Sequence, residues 1–482
     1  MTDARTAHER RWQALALLAV TQFVVVLDAA IVNVALPSIG ADLGFSQEDL
    51  QWVVNAYLLT FGGFLLLGGR AADLLGRRRM FISGLVLFAL ASLAGGLAQT
   101  EGQLIAARAV QGLGGAILSP AALSIVANTF RDGPERNKAM GVWGAVAGSG
   151  GAAGVLLGGI LTDGLGWEWI FWVNVPVALV AAAIAPAVIV ESRAADMVRR
   201  FDVAGALSVT AGLSVLVYAL VDAEDAGWGS AQTLGLFALA AALLVAFVLI
   251  ERRATAPLVP FRIFRNRPVT AGDTVLFIFA AGLFAMFFFI SLYMQDVLGF
   301  EPLEAGLAYL PLSAGIILSA AGAGPLATRV GVKPVLIAGL GLSAIGLAWF
   351  SQVSAGGSFV ADVLGPSVVV AVGAGMAFVT LTISAVAGVP ERDTGLASGL
   401  MNTSQQIGGA LGLAILATIA NSRIDDAAGA ARPDAAALAE GYQLAFLGAA
   451  GFVLLGLVAA FALMPRLRAP AHGAAPAPVE AA

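Results

Sequence analysis

Gly69-Arg70-Ala71-Ala72-Asp73-Leu74-Leu75-Gly76-Arg77-Arg78-Arg79 and Gly324-Pro325-Leu326-Ala327-Thr328-Arg329-Val330-Gly331-Val332-Lys333 are like-spaced turns, each between two long apolar stretches. In both, glycine follows glycine by seven residues, with basic residues in or just after the turn. A repeated basic turn in an apolar chain predicts two homologous helical halves rocking about a central site. That is the layout of a secondary transporter.

The composition agrees. Charged residues make up 12% of the 482-residue chain and the mean hydropathy is +0.88. Soluble proteins carry about 25% charged residues, so most of this chain is expected in lipid. The absence of cysteine removes disulfides, thiol nucleophiles and Cys-rich metal sites. The two histidines, His8 and His472, lie near the termini, so no buried His relay or metal site is expected. Neither lysine, Lys138 or Lys333, closes a G-x-x-x-x-G-K-[ST] phosphate loop. No nucleophile–base set stands out, so the chain is expected to be no enzyme and to need no cofactor, metal or nucleic acid.

A membrane span needs about 20 mostly apolar residues. Fourteen segments qualify: 12–36, 50–69, 80–98, 103–128, 139–161, 169–190, 203–221, 232–250, 269–295, 303–325, 334–350, 359–388, 399–420 and 440–464. Alternate connections hold all but three of the 26 basic residues, the exceptions being Arg108, Arg423 and Arg432. The intervening loops carry acids such as Asp42, Glu48, Asp49, Asp222, Glu224 and Asp225. Positive loops stay inside, so both termini are expected in the cytoplasm of a multi-pass cell-membrane protein. Segment 251–268 mixes aromatic residues with arginines and reads as an interfacial linker at anionic headgroups. The Ala/Pro-rich end reads as a disordered tail.

Two charges fall deep inside predicted spans. Asp28 lies roughly 12 Å from the outer end of helix 1, expected near Pro37, and Arg108 roughly 8 Å into helix 4. At similar depth they can pair. Charges in lipid are costly and usually mark function. Burial disfavours a carboxylate's charge and a nearby guanidinium favours it. A pair balanced between the two can take up and release a proton as the bundle rocks. The competing reading is a static pair that fixes helix packing. Asp273 and Asp296 near the ends of helix 9, and Asp222 and Asp362 near outer helix ends, read as solvated interface residues.

The first turn resembles the helix 2–3 loop motif of the major facilitator superfamily, through Gly69, Asp73, Gly76, Arg77 and Arg78. In that family the turn is a conformational latch. The stretch Leu104 to Gly115, with Arg108, Gln111 and Gly112, resembles the family's helix 4 motif, whose arginine is implicated in proton coupling. Gly141, Gly150, Gly154, Gly158 and Gly159 resemble the antiporter motif of helix 5, with Val155 in place of its proline. Leu27-Asp28 through Pro37, Gln51-Trp52 through Tyr57, and Trp169 through Asn174 and Pro176 resemble the fourteen-helix drug:proton antiporters.

The resemblance implies an all-α polytopic membrane protein of two six-helix pseudo-symmetric bundles plus an inserted helix pair. The expected organisation is an amino-terminal tail 1–11, a first bundle 12–190, an inserted segment 191–268, a second bundle 269–464 and a tail 465–482. It implies a cavity lined by Gln22, Asn33, Asn55, Gln111, Met286, Phe287, Tyr293, Gln295, Asn402, Gln405 and Gln406. It further implies a monomeric, proton-coupled efflux antiporter for hydrophobic or amphiphilic small molecules such as antimicrobials. A dedicated exporter of one metabolite or self-made antibiotic is the alternative, and a non-transporting membrane sensor a more distant one.

Overall fold

The computed structural model describes residues 2–130, 134–193, 202–255, 257–389, 394–429 and 433–465. These are helical almost throughout. The long helices are α1 (Thr2–Leu43), α2 (Trp52–Leu75), α3 (Arg77–Gly96), α4 (Glu101–Thr129), α5 (Pro134–Leu165), α6 (Trp169–Val188) and α7 (Val203–Ala226). They continue with α8 (Ala231–Arg253), α9 (Arg267–Leu292), α10 (Pro302–Val330), α11 (Val332–Phe350), α12 (Gly365–Val386), α13 (Thr394–Ala428) and α14 (Ala435–Leu463). Among the described residues, 13 helices are long and apolar enough to cross a membrane. The 32-residue α5 completes fourteen.

The sequence-based boundaries shift at several ends. Residues 2–11 are helical too, because α1 begins at Thr2 and runs unbroken through Pro37 to Leu43. A proline inside a long helix removes one N–H, a loss that membrane helices tolerate through neighbouring groups. Short π-helical turns, Tyr293–Val297 and Phe359–Leu364, extend α9 and precede α12. The carboxyl-terminal tail beyond residue 465 lies outside the described residues.

Helices α1 to α6 pack as one bundle and α9 to α14 as another. The inserted α7 lies along the seam, packed on both α2 and α13. There, the Thr418 hydroxyl of α13 donates to the Leu220 carbonyl at 3.2 Å. Helix α8 packs on α7 as an outer layer, with only 11% of its apolar window buried. Small residues let the membrane helices approach closely. Gly408 and Gly412 of α13 face the backbone at Phe277 and Ala281 of α9, so these two helices run parallel in fixed register.

The two basic turns share one geometry. Gly76 takes φ 117° and Gly331 φ 96°, conformations that L side chains rarely adopt. Gly69 and Gly324, by contrast, lie inside α2 and α10. Only the second glycine of each pair therefore makes the turn. The end of the molecule with these turns is called here the Arg-rich end.

Candidate functional site

Asp28 and Arg108, on α1 and α4, have 0% and 1% exposure. Arg108 Nη1 donates to Asp28 Oδ2 at 2.8 Å and to Gln111 Oε1 at 2.6 Å, while its Nε donates to the Val53 carbonyl at 2.9 Å. The guanidinium lies 4.3 Å from the centre of the Tyr57 ring, within cation–π range. The other carboxylate oxygen, Asp28 Oδ1, accepts from Gln111 Nε2 and Asn174 Nδ2, each at 2.7 Å. Ser92 Oγ accepts from both amides at 3.1 Å and donates to the Phe171 carbonyl at 2.8 Å. Side chains from α1, α3, α4 and α6 thus form a closed network, with α2 adding a carbonyl and a ring face.

Sequence spacing singled out Asp28 and Arg108, and the fold brings them together. It missed Ser92, which has no motif around it. Asn174 stood within the helix 6 motif without an assigned role.

At the first basic turn, Asp73 Oδ1 accepts from Arg77 Nη2 at 2.7 Å and Nε at 3.0 Å. Glu191, just past α6, accepts from the backbone N–H groups of Arg78 and Arg79 at 3.1 and 3.3 Å. A carboxylate on these otherwise unbonded N–H groups is favoured at a helix start. Arg78 Nη1 in turn donates to the Ile189 carbonyl at 3.1 Å. Glu191 has no sequence signature, since its partners lie over a hundred positions away.

The glycines of α5 have two uses. A Cβ on Gly150 would lie 2.9 Å from Val26 Cβ, and one on Gly154 2.7 Å from the Leu27 carbonyl. One on Gly158 would lie 2.8 Å from the Ile31 carbonyl, so these three seat α5 against α1. Gly159 faces the other bundle, at the Pro302 carbonyl and Leu303 of α10. Gly306 reciprocates against the Val155 carbonyl, where the family motif has its proline. The packing of Gly141 lies outside the described residues.

Further contacts between the bundles gather at this same end, opposite the Arg-rich turns. Ser291 Oγ donates to the Asn33 carbonyl, and Gln295 Nε2 to the Val34 carbonyl at 2.8 Å. Toward the Arg-rich end lies a cavity of about 820 Å³. Its walls are the last turns of α2 and α4, the first turns of α13, and the segment before α9. Gly69, Arg70, Asp73, Ser119, Arg262 and Asn402 are among its lining residues.

Of the expected cavity residues, Asn402 lies on this wall. Asn55, Gln111, Met286 and Tyr293 are buried in helix packing, and Gln406 is packed against Gly62. Tyr293 donates its hydroxyl to Asp362 at 2.7 Å. Gln22 accepts from Ser119 at 3.3 Å, and Phe287 stacks on Tyr309. Asn33 and Gln295 belong to the contact between bundles, and Gln405 is half-buried. Asp273, read as solvated, is instead 5% exposed, because α13 and α12 pack over it. The linker does more than rest at the membrane surface. Glu251 accepts from the N–H groups of Leu258 and Val259 at 3.3 and 3.1 Å and folds the linker back onto the cavity wall.

A model of the Major Facilitator Superfamily matches residues 18–413. A cephamycin export protein of Amycolatopsis lactamdurans is 39% identical, covering 92% of this chain and 90% of that one. A puromycin resistance protein of Streptomyces alboniger is 38% identical over 94% and 92% of the two chains. A multidrug resistance protein of Mycobacterium tuberculosis is 35% identical over 85% and 76%. A bacterial homolog of the human lysosomal transporter Spinster, solved inward-facing and unoccupied, superposes with a TM-score of 0.66. It is 17% identical and covers 94% of this chain and 96% of its own.

Proposed function

The chain belongs to the Major Facilitator Superfamily, and from that premise we propose that it is a proton-coupled exporter of hydrophobic and amphiphilic antimicrobials. It is a membrane transporter of the efflux type rather than an enzyme, working as a monomer by alternating access. The Arg-rich end is cytoplasmic by the positive-inside rule. In that orientation the bundles touch at the external face and along α2 and α13, and the cavity faces the cytoplasm, an inward-facing arrangement. The membrane is the cell membrane, with both termini inside.

The observation that carries proton coupling is the Asp28–Arg108 network. Its charges are sealed from water, yet every partner of the carboxylate comes from another helix. Any change in how α1, α4 and α6 cross alters the set of donors around the Asp28 carboxylate. Proton entry from outside then favours the return of the empty carrier, and substrate leaves against its gradient. Gly69, Asp73, Gly76, Arg77 and Arg78 supply the latch that closes the cytoplasmic end in the alternate state, where the turn, held here within its own bundle, would meet the second.

The test is substrate-evoked proton movement in proteoliposomes carrying a pH gradient, for wild type and Asp28→Asn. Flux in the wild type that disappears in the variant supports the reading. Flux that survives in Asp28→Asn with its pH dependence intact sinks it.

A second reading is a dedicated exporter of one antibiotic. It is favoured by the relatives at 39% and 38% identity, which are named for cephamycin and puromycin, whereas the multidrug relative is at 35%. Resistance of expressing cells to a single compound, against resistance to a chemically mixed panel, separates the two.

A further inference from the structure

Asp273 lies six residues into α9, roughly 9 Å from Arg267 at the cytoplasmic start of the helix. Its side chain is buried, and among the described residues neither carboxylate oxygen has a hydrogen-bond partner. This is the reverse of Asp28, whose two oxygens take three donors between them. The register set by Gly408 on Phe277 and Gly412 on Ala281 puts Asp273 level with Ser404 of α13. The preceding residue, Gly272, faces Ser384 of α12. On α13, Gly399 and Asn402 line the cytoplasmic cavity, so water there is about one helix away.

The helices packed on α9 bring no counter-charge to this depth. Helix α12 contains no titratable residue. Those of α13 are Arg423, Asp425 and Asp426, which start 19 positions, roughly 28 Å, beyond the level of Ser404. Those of α14, Glu440 and Tyr442, sit in its opening turns at the external end. Helix α1 brings Asn33 and Val34 against Ser291 and Gln295, roughly 27 Å further along α9. The helical turn Phe261–Arg265, which also packs on α9, carries Arg262 and Arg265 at the cytoplasmic surface, beside Arg267.

An ionised carboxylate sealed from water with neither cation nor donor is strongly disfavoured. We propose that Asp273 is a second proton-binding site, in the carboxyl-terminal bundle. It carries its proton in the inward-facing arrangement and releases it to water of the adjacent cytoplasmic cavity. The step moves one proton from the carboxyl oxygen to cavity water. The two bundles then each hold one acid, a hydrogen-bonded one on α1 and a bare one on α9. The role in coupling rests on the exporter reading, but the bound proton does not.

Infrared spectroscopy of the full chain in liposomes tests the bound proton without any substrate. A buried, protonated carboxyl gives a carbonyl stretch that ionised carboxylates lack. The expected result is such a band in wild type and Asp28→Asn, lost on alkaline titration, absent from Asp273→Asn and shifted in Asp273→Glu. A band that is missing from wild type, or unchanged in both Asp273 variants, overturns the proposal. Proton-to-substrate ratios in the flux assay give the second readout, with about a twofold drop expected for Asp273→Asn. An unchanged ratio overturns the coupling role. Failure of the exporter reading appears separately, as absent flux in wild type with the Asp273 band intact.

Discussion

Arg78 and Lys333 do the same work in the two halves. Each stands two residues past the positive-φ glycine of its basic turn, and each caps the last helix of its own bundle. Arg78 donates to the Ile189 carbonyl just past α6, and Lys333 Nζ donates to the carbonyls of Phe461 and Met464 at the end of α14, both at 2.8 Å. The repeat is thus more than spacing. Each turn ties helix three of its bundle to the exit of helix six.

Removing either cap is expected to loosen the helix end it holds. A cation at a helix C-terminus contributes about 0.3–1 kcal/mol. Lys333→Ala should raise amide exchange around residues 460–464 and leave residues 185–190 unchanged, and Arg78→Ala should do the opposite. Exchange mass spectrometry checks both. Equal protection in Lys333→Ala and wild type would show that the cap is idle.

The glycines of each turn are not equivalent, and substitution should separate them. At Gly76 the backbone has φ 117°, and an added Cβ would lie 2.8 Å from Glu191 Oε1. Strain of this kind costs about 1–3 kcal/mol. Gly324 has nothing within 4 Å and no positive φ. Gly76→Ala is therefore expected to lower the melting temperature in detergent, and Gly324→Ala to leave it near wild type. Equal melting temperatures would count against the assigned geometry.

The Asp28 network predicts a split between stability and coupling. Asp28→Asn leaves Arg108 buried without its counter-charge, a loss of about 3–5 kcal/mol. Replacing both residues, as in Asp28→Leu with Arg108→Met, removes the uncompensated charge and should recover most of the melting temperature. Proton flux should stay lost in the double variant. If flux returns with stability, the pair is a packing device and the proton moves elsewhere.

How much of this was legible beforehand follows from what lipid does to a sequence pattern. Charge is rare in a span, so Asp28 and Arg108 stood out at once, and their depths along two helices were enough to pair them. Glycine at fixed spacing likewise marked α5, although not its partner, α1. The cavity wall was less readable. In a membrane the lipid is as apolar as the protein interior, so hydrophobicity does not tell which face of a helix looks inward. Met286 and Tyr293 therefore read as wall residues and turn out to be packed, while Glu191 and Ser92 acquire partners only once helix rotation is known. Asp273 was misjudged for a related reason. Closeness to a helix end suggests exposure, but α12 and α13 extend past it.

Gly159 offers a direct handle on the alternating cycle. Among the described glycines of the α5 series it is the one that faces the second bundle, where an added Cβ would press on the Pro302 carbonyl and lie 2.8 Å from Leu303 Cα. Backbone cannot swing aside as a side chain can, so the external contact has to open. Gly159→Ala should shift the population toward outward-open, whereas Gly151→Ala, with nothing within 4 Å, should not. The chain has no cysteine, so Gln295→Cys gives a single thiol at that contact without further engineering. Its labelling by a membrane-impermeant reagent from outside should be slow alone and several-fold faster with Gly159→Ala. The same pairing predicts weaker binding of substrate from the cytoplasmic side, since fewer molecules present the inward cavity. Unchanged labelling would mean that α5 and α10 part without resistance, and that the seal lies with the Ser291–Asn33 contact instead.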